Sequence, residues 1–390
     1  MDEQIVFKLL KTSLFKGDME VPEDWNDVFE EMKLQAVAGL PSVWLKKHSE
    51  VDMHEWVTYC AILQAQWLRV MHGQNMLFQL LEENGIPCII LKGAAAAMYY
   101  PNPSLRSMGD VDILVKRTDF DRAVKLIENS GYKLAHEKQA DAYHYNYRKQ
   151  GISFELHRRL PILQESDEDL ISLFEYGIDQ RELKETEGYT FPVLPVHLNG
   201  LVLLFHINQH LRTGLGLRQI IDWMMYMDKL PEDIWVSEVL PVLRKTGMEK
   251  LAYTVTAMCQ KYLGLREIVK EEETYPVDEL MGYIMHKGNF GTKDTARDKI
   301  ASFSLTVRNP KEVFKRLQSR GLYRWKAAKR YKVLRLFAWA YQVFYITRIL
   351  LKNKIQPKEI LAKHKQGVDQ RQLFEMLGLK IDTFMNTQDT

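Results

Sequence analysis

The sequence predicts an α+β fold, in which a small mixed sheet with helices is packed with mostly α-helical segments from both ends of the chain. A long helical pattern runs to about Glu83 and stops at a glycine. Short apolar or alternating runs, typical of strands, fill residues 86–160, and the pattern after about residue 195 is helical almost throughout. The predicted segments are an N-terminal helical segment over 1–75, an α/β core over 76–165 and a helical C-terminal region over 195–390.

Apolar runs, glycine turns and alternation define the elements of the core one by one. The two-residue turn at Gln150-Gly151 separates two alternating runs and predicts a hairpin. The predicted elements are a strand at 86–91, a turn at Lys92-Gly93, a helix at 94–100, a strand at 108–115, a helix from Thr118 to Ser130, the hairpin strands 143–148 and 152–157, and helices at 195–210 and 217–227.

Three acidic residues in the predicted strands point to a metal site. Asp110 and Asp112 are two residues apart, so in a strand both side chains leave the same face. Glu155 lies on the polar face of the second hairpin strand, and pairing that strand beside the Asp strand would bring the three carboxylates together. Hard oxygen ligands of this kind are what Mg²⁺ prefers, with water and substrate phosphates completing the shell.

Composition sets broad limits on the class of protein. The chain has 390 residues, 46% hydrophobic and 27% charged, which is ordinary for a globular protein, and its net charge of +2 gives no reason to expect nucleic acid as a partner. Cys60, Cys88 and Cys259 are far apart and lack metal-type spacing, so we expect reduced thiols. The N-terminus lacks the basic region of a signal peptide, and we therefore expect a cytoplasmic protein.

One apolar segment, 333–351, raises the question of a membrane. Arg335, Gln342 and Arg348 interrupt it, and each charge at bilayer depth would cost about 2.5–3.5 kcal/mol. We therefore expect a buried or interfacial amphipathic helix rather than a membrane span. The basic residues that flank it allow peripheral membrane contact, but ordinary helix packing is the favoured expectation.

Four motifs together resemble a known family. Ile90-Leu91-Lys92-Gly93-Ala94, Tyr100-Pro101, Arg106-x-x-x-Asp110-Val111-Asp112 and Phe154-Glu155-Leu156-His157 are similar to the uncharacterised nucleotidyltransferase family of the polymerase-β-like superfamily. A weaker echo, Gly216-Leu217-Arg218-x-x-x-Asp222, follows in the helical region. The resemblance implies a small mixed-sheet nucleotidyltransferase core that transfers a nucleoside monophosphate from an NTP to a hydroxyl acceptor and releases pyrophosphate.

The resemblance also implies roles for individual residues. Asp110 and Asp112 match the metal-binding pair, and Glu155 matches the third carboxylate, which is either a metal ligand or the base for the incoming hydroxyl. Gly93 matches the phosphate-binding turn, with Lys92 adding positive charge. Many superfamily members have serine where this chain has Ala94, so phosphate would have to be held by backbone N–H groups there.

The implied cofactor is Mg²⁺ or Mn²⁺, and ATP is the expected nucleotide. We expect the hydroxyl acceptor to be a small molecule, or second a protein side chain, lying between the core and the helices after residue 195. Two other functions stay open at this point. One is a metal-dependent glycosyltransferase that uses a nucleotide-sugar, and the other is a binding or scaffold protein with a decayed site, of which Ala94 would be the first sign.

Several side chains have both a functional and a structural interpretation. Arg106 could bind the triphosphate, or it could pair with Asp110 or a helix carbonyl. His157 could support the metal ligands from behind, or it could be the exposed end of a strand. Arg218 and Asp222 are four residues apart, so an ion pair within one helix is the simplest expectation, and a place at the rim of the cleft is the alternative.

His206 and His210 are one helical turn apart in the predicted helix 195–210. That spacing suits metal ligation, but no third ligand is evident, and we expect packing instead.

Overall fold

The chain forms two compact units, Met1–Lys293 and Asp294–Thr390. The computed structural model describes residues 3–15, 17–22, 25–48, 54–136, 142–211, 214–270, 275–293, 310–352 and 357–379. Both boundaries of the predicted α/β core fall inside the first unit. The end of the predicted C-terminal segment, 380–390, lies outside the described residues.

The first unit contains a five-stranded mixed sheet and a separate two-stranded hairpin. The strands are β1 (Cys88–Leu91), β2 (Val111–Val115), β3 (Lys133–Leu134), β4 (His144–Lys149), β5 (Ile152–His157), β6 (Glu182–Thr186) and β7 (Tyr189–Val193). The sheet order is β1-β2-β5-β4-β3, with β2 and β5 parallel and the other pairs antiparallel. The mixed sheet predicted from the sequence is therefore confirmed.

Helices precede, interrupt and follow the five strands of this sheet along the chain. Those that precede it are α1 (Glu3–Phe15), α2 (Trp25–Leu34), α3 (Ser42–Leu45) and α4 (His54–Glu83). Those within it are α5 (Gly93–Ala97), a 3₁₀ turn (Pro103–Leu105) and α6 (Arg117–Asn129). Those that follow it are α7 (Glu168–Asp179), α8 (Val196–His210), α9 (Leu217–Lys229), α10 (Glu232–Ile234), a π-helix (Trp235–Val239), α11 (Leu240–Thr246), α12 (Glu249–Met258), a second π-helix (Cys259–Leu263), α13 (Val277–Lys287) and a 3₁₀ turn (Asn289–Gly291).

The core of this unit lies between the sheet and α4. Apolar side chains of α4, β1, β2, β5 and α6 form one buried cluster, which includes Trp67 and Phe154. At Gly73 of α4 a Cβ atom would lie 2.5 Å from Ile152 Cδ1, so glycine lets the helix approach β5 without displacing this side chain. This packing holds β2 and β5 against α4, and these two strands carry acidic residues of the predicted site.

The hairpin of β4 and β5 has the predicted turn. Gln150 (φ +50°) and Gly151 (φ +75°) both adopt the positive φ values that a two-residue type I′ turn requires. The resulting register pairs His144 with His157 and Asn146 with Glu155. The polar face of β5 is therefore lined by polar residues of β4.

Three predicted elements are shorter in the structure. The strand predicted over 86–91 begins at Cys88, because Pro87 has no N–H group to donate to a neighbouring strand. The helix predicted over 94–100 is the five-residue α5. The predicted strand around the aspartates begins at Val111, so Asp110 directly precedes β2.

The second unit is helical in its described part. Its elements are α14 (Pro310–Arg324), α15 (Lys326–Arg330), a 3₁₀ segment (Lys332–Phe337), α16 (Ala338–Lys352) and α17 (Pro357–Met376). The amphipathic helix predicted over 333–351 thus starts as a 3₁₀ segment and becomes α-helical at Ala338. No helix among the described residues is long and apolar enough to cross a bilayer.

Candidate active site

The three predicted acidic residues meet at one edge of the β2–β5 pair. Asp112 and Glu155 are register partners on these parallel strands, so their side chains leave the same face side by side. Asp110 lies two residues before Asp112 and is exposed, whereas Asp112 is buried and Glu155 is half-buried. One carboxylate oxygen from each of the three lies within 4.8 Å of the others. The convergence expected from alternation and strand pairing is present.

Lys92 places a positive charge in this acidic cluster. It directly follows Leu91, which pairs with Asp112 across β1 and β2, and its Nζ donates to Asp112 Oδ1 at 3.0 Å. Its backbone has φ +50° and ψ −132°, a conformation that L-residues other than glycine rarely adopt. Burial alone would lower the pKa of Lys92, but the charges of Asp112, Glu155 and Asp110 raise it above its usual value.

His157 lies behind the carboxylates and is fully buried. Its Nε2 lies 2.9 Å from Asp112 Oδ1 and 3.3 Å from Glu155 Oε2. Burial opposes protonation, but these hydrogen bonds raise the pKa of His157. The structural interpretation of His157 as an exposed strand end is wrong, because its side chain is fully buried and the residue has neighbouring strands on both sides, β2 and β4.

The electrostatics separate the two aspartates. Burial would raise the pKa of Asp112, but Lys92 and the hydrogen bond from His157 hold it well below its usual range. The charge of Asp112 is the largest of the causes that raise the pKa of Asp110 to about 6. Asp112 is thus a carboxylate at neutral pH, whereas Asp110 gains and loses its proton around pH 6.

A second group of possible ligands shares Glu155. His144 of β4 stacks on His157 with ring centroids 5.1 Å apart, and its Nε2 lies 3.8 Å from Glu155 Oε1. His144, Glu155 and His157 each offer a ligand atom within 4.8 Å of the others. Burial is the largest cause that lowers the pKa of His144 to about 4, so its ring is neutral at pH 7. Sequence reasoning missed His144, although counting back from the Gln150-Gly151 turn pairs it with His157.

The residues present fit a divalent cation. Two carboxylates from adjacent strands and a third from the preceding loop supply oxygen ligands of the kind that Mg²⁺ and Mn²⁺ bind, and exposed Asp110 leaves one side open to substrate. Imidazole nitrogen from His144 is a ligand that suits Mn²⁺ better than Mg²⁺. Lys92 competes for the same oxygens, so its ammonium has to yield some of that contact when a cation binds.

Arg106 and Asp222 form a sealed ion pair elsewhere in the unit. Arg106 Nε and Nη2 donate to the two carboxylate oxygens of Asp222 at 2.6 Å each, and Tyr100 donates to Oδ1 at 2.7 Å. The two charged side chains are 3% and 2% exposed. The structural partner of Arg106 is therefore Asp222, not Asp110 or a helix carbonyl as expected. Its predicted contact with nucleotide stays a prediction and requires this pair to open.

Arg218 has different contacts from those expected. The predicted ion pair between Arg218 and Asp222 is wrong, because Arg106 occupies both oxygens of Asp222. Instead Arg218 Nη1 donates to the Ser107 carbonyl at 3.2 Å, and the guanidinium lies 5.2 Å from the centre of the Phe290 ring. Its Nε is buried without a hydrogen-bond partner. Burial, followed by the charge of Arg106, lowers the pKa of Arg218, and Asp222 and Asp110 oppose this.

The predicted turn at Lys92-Gly93 is present, and both of its residues have positive φ angles. Gly93 has φ +32°, and Lys92 before it carries the more strained conformation. Ala94 is completely buried in the short helix α5. The geometry of the turn agrees with the prediction, while phosphate binding by Gly93 and Ala94 stays a prediction.

His206 and His210 pack against each other on α8. Their rings meet edge to face at a centroid distance of 4.4 Å, and His210 also contacts Phe290. Burial is the largest cause that lowers the pKa of His210 to about 3, and that of His206 is lowered well below its usual value for the same reason. Neither belongs to a group of three possible metal ligands among the described residues.

Comparison with known proteins places this site in a family context. A crystal structure of an antigenic nucleotidyltransferase-like protein from Paracoccidioides brasiliensis resembles the chain with 16% identity and a TM-score of 0.33, covering 52% of this chain and 94% of the other. No curated protein matches significantly. A family model described as "Uncharacterised nucleotidyltransferase" matches residues 22–264, which is more than half of the chain. The protein therefore belongs to the uncharacterised nucleotidyltransferase family.

Proposed function

We propose that the protein is a metal-dependent nucleotidyltransferase, which moves a nucleoside monophosphate from an NTP to a hydroxyl acceptor and releases pyrophosphate. The observation that carries this proposal is the group formed by Asp110, Asp112 and Glu155, whose ligand atoms lie within 4.8 Å of one another. Membership of a nucleotidyltransferase family supports the same reaction class. ATP is the nucleotide we expect.

Asp110, Asp112 and Glu155 would hold Mg²⁺ or Mn²⁺. When bound, such cations neutralise phosphate charge and favour an in-line displacement at the α-phosphorus. Lys92 and His157 hold the pKa of Asp112 well below its usual range, so it is a carboxylate at neutral pH. His157 fixes both Asp112 and Glu155 by hydrogen bonds, which keeps their orientation relative to each other.

Lys92 supplies a second positive charge at the same place. In the structure its ammonium contacts Asp112, and a short rotation of its flexible side chain would transfer that contact to a phosphate oxygen. Its strained backbone holds the side chain at the cluster, which reduces the entropy lost on binding. We therefore assign Lys92 to nucleotide binding.

Of the two buried arginines, Arg218 is the better candidate for a phosphate oxygen. Arg106 already has both oxygens of Asp222, whereas Arg218 has a buried Nε without a hydrogen-bond partner. A buried cation with incomplete hydrogen bonding is unfavourable unless an anion completes it. Asp110 influences the pKa of Arg218, so the guanidinium lies within electrostatic reach of the acidic cluster.

The acceptor would enter between the core and helices α8 and α9, where His210 and half-exposed Phe290 lie beside Arg218. A hydroxyl on a small molecule is our first choice, and a protein side chain is the second. We assign no base role to His206 or His210 in this proposal.

Incubation with each α-labelled NTP, Mg²⁺ or Mn²⁺ and a cell extract tests the reaction directly. We expect label in an acceptor with wild type and at least about a 100-fold loss in Asp110→Asn and Glu155→Gln, because each removes a metal ligand. Asp179→Asn is the matched control, since this carboxylate is 49% exposed and pairs with Lys116. Equal labelling by wild type and both site variants would refute the assignment.

Titration calorimetry separates the remaining readings. Metal-dependent binding of NTP that is lost in Asp110→Asn supports nucleotidyl transfer. A preference for UDP-sugars over NTPs would support a glycosyltransferase. Absence of binding to both ligands would identify a scaffold protein, consistent with Ala94 and with the ammonium of Lys92 among the carboxylates.

A further inference from the structure

The helical second unit contains a segment whose charge differs sharply from that of the chain. Residues 310–352 include twelve Lys or Arg residues and a single acidic residue, Glu312, for a net charge of +11, whereas the whole chain has a net charge of +2. Among the basic residues whose side chains the structure describes, nine are exposed: Lys311, Lys315, Arg324, Lys326, Arg330, Lys332, Arg335, Arg348 and Lys352. The small total charge of the chain therefore conceals one strongly cationic surface.

The same segment exposes large apolar side chains. Its most exposed apolar residues are Phe314, Tyr323, Tyr331, Val333, Leu336, Phe337, Phe344 and Leu351, all more than half exposed. In α16, Phe344, Thr347 and Leu351 are spaced by three or four residues, so they lie along one exposed helix face. Soluble surfaces rarely combine this many exposed apolar groups in one short segment.

Internal contacts hold this surface in place. The backbones of α14 and α16 approach so closely that a Cβ atom at Gly321 would clash with the Ala338 carbonyl. Gln318 donates to the Arg335 carbonyl and accepts from the Trp339 N–H. Trp325 stacks on Tyr341 with ring centroids 5.0 Å apart. The apolar residues named above are thus presented by a packed helical hairpin and not by an extended segment.

We propose that residues 310–352 form a docking surface for the headgroup region of an anionic lipid membrane. Each Lys or Arg near such a surface contributes about 1 kcal/mol of attraction, and exposed Phe and Leu side chains add apolar burial at the boundary with the acyl chains. Long Lys and Arg side chains can reach headgroups while their stems cover apolar surface. The segment lies on the membrane without crossing it, in agreement with the absence of a spanning helix among the described residues.

The aliphatic residues favour lipid over nucleic acid. Basic side chains alone would suit a phosphate backbone, and aromatic rings could stack on bases. Val333, Leu336 and Leu351 are each at least 70% exposed, and they would gain nothing from a nucleic acid. A bilayer interface accommodates all three classes of side chain at once.

Vesicle sedimentation with the full-length protein tests this proposal. We expect binding to vesicles of phosphatidylcholine mixed with phosphatidylglycerol, weaker binding to phosphatidylcholine alone, and loss of binding at high salt. The variant Phe344→Glu with Leu351→Glu should bind anionic vesicles at least about ten-fold more weakly, because two carboxylates would enter the interface. The matched control is Val57→Glu with Ile62→Glu, which changes two residues of α4 that are each 59% exposed.

Hydrogen exchange of the wild-type protein provides a test that does not depend on the variants folding correctly. Hydrogen exchange over 331–351 should slow when anionic vesicles are added, with no comparable change in α4. Absence of binding to anionic vesicles would overturn the proposal, as would equal binding by the Phe344→Glu Leu351→Glu variant. Binding of duplex RNA or DNA that survives this double substitution, without vesicle binding, would assign the surface to nucleic acid instead.

Discussion

Two clusters of charged side chains lie within the first unit, and they differ in how completely their charges are matched. Arg106, Asp222 and Tyr100 form a sealed group, in which one cation meets one anion through two hydrogen bonds and a hydroxyl adds a third. Around Asp110 and Asp112, three carboxylates face Lys92, His157 and the neutral ring of His144, and Asp110 is open to solvent. In the first group, here called the sealed cluster, positive and negative charges balance. The second, here called the open cluster, has excess negative charge and one side open to solvent.

This difference separates a structural role from a functional one better than residue type does. A buried ion pair with all its hydrogen bonds made has no capacity left for a ligand, and breaking it leaves a stranded charge. Unmatched charge at an open edge is costly for the fold and is retained where a ligand completes it. Arg218 is intermediate between these two cases, because it is buried like Arg106 but its Nε has no hydrogen-bond partner.

The largest effect we expect comes from breaking the sealed cluster. Asp222→Ala should lower the free energy of unfolding by about 3–5 kcal/mol, because it leaves the Arg106 guanidinium buried without its counter-ion. Denaturant unfolding measures this loss. The apolar double variant Arg106→Met with Asp222→Leu should recover most of it. A loss below about 1 kcal/mol in Asp222→Ala would show that the pair is not a structural element.

An intermediate effect is expected at Arg218. Arg218→Gln should raise the KM for NTP by about ten-fold or more, since a hydrogen bond to a charged group contributes about 1.5–3 kcal/mol. Its free energy of unfolding should change little, because the substitution removes a buried cation that has no full set of partners. Arg106→Gln is the control and should show the reverse, with a large loss of stability. If Arg218→Gln destabilises the fold and leaves KM unchanged, Arg218 is structural.

The smallest effect is a pH dependence that belongs to the open cluster. The pKa of Asp110 is about 6, so protons compete with a divalent cation below that pH, and affinity for Mn²⁺ should rise as pH increases through it. His144, with a pKa of about 4, is neutral throughout this window. Calorimetry at about pH 5 and about pH 7 would show the change. Asp110→Asn should bind Mn²⁺ more weakly and with less dependence on pH, and an equally steep dependence in that variant would contradict the assignment.

The open cluster was largely predictable from the sequence, because local rules determine it. Alternation assigns Glu155 to the polar face of its strand, and the i, i+2 spacing aligns Asp110 with Asp112. The Gln150-Gly151 turn fixes the hairpin register, from which the pairing of His144 with His157 also follows. The complete burial of His157 was not predicted, and in the structure the residue is flanked on both sides, by Leu114 of β2 and His144 of β4.

The sealed cluster was not predictable for a related reason. Arg106 and Asp222 are 116 residues apart, and no local pattern connects a loop before β2 with the middle of α9. The nearest arginine in sequence, Arg218, has the spacing of a helical ion pair, so the wrong partner was favoured. The basic residues around 333–351 were recognised in the sequence, but helix packing was favoured over membrane contact, because the sequence alone does not show which of the apolar side chains are exposed.

The contact of Lys92 with Asp112 allows the protein to fold before it binds a metal ion. Three carboxylates brought together without a counter-charge would repel one another and weaken the pairing of β2 with β5. Since the chain itself contributes an ammonium to Asp112, the sheet can assemble before any cation is available. When a metal ion binds, it replaces the Lys92 ammonium as the positive charge beside Asp112 in a protein that is already folded. Chelators should accordingly arrest chemistry while leaving the melting temperature nearly unchanged, in contrast to proteins whose metal is required for folding.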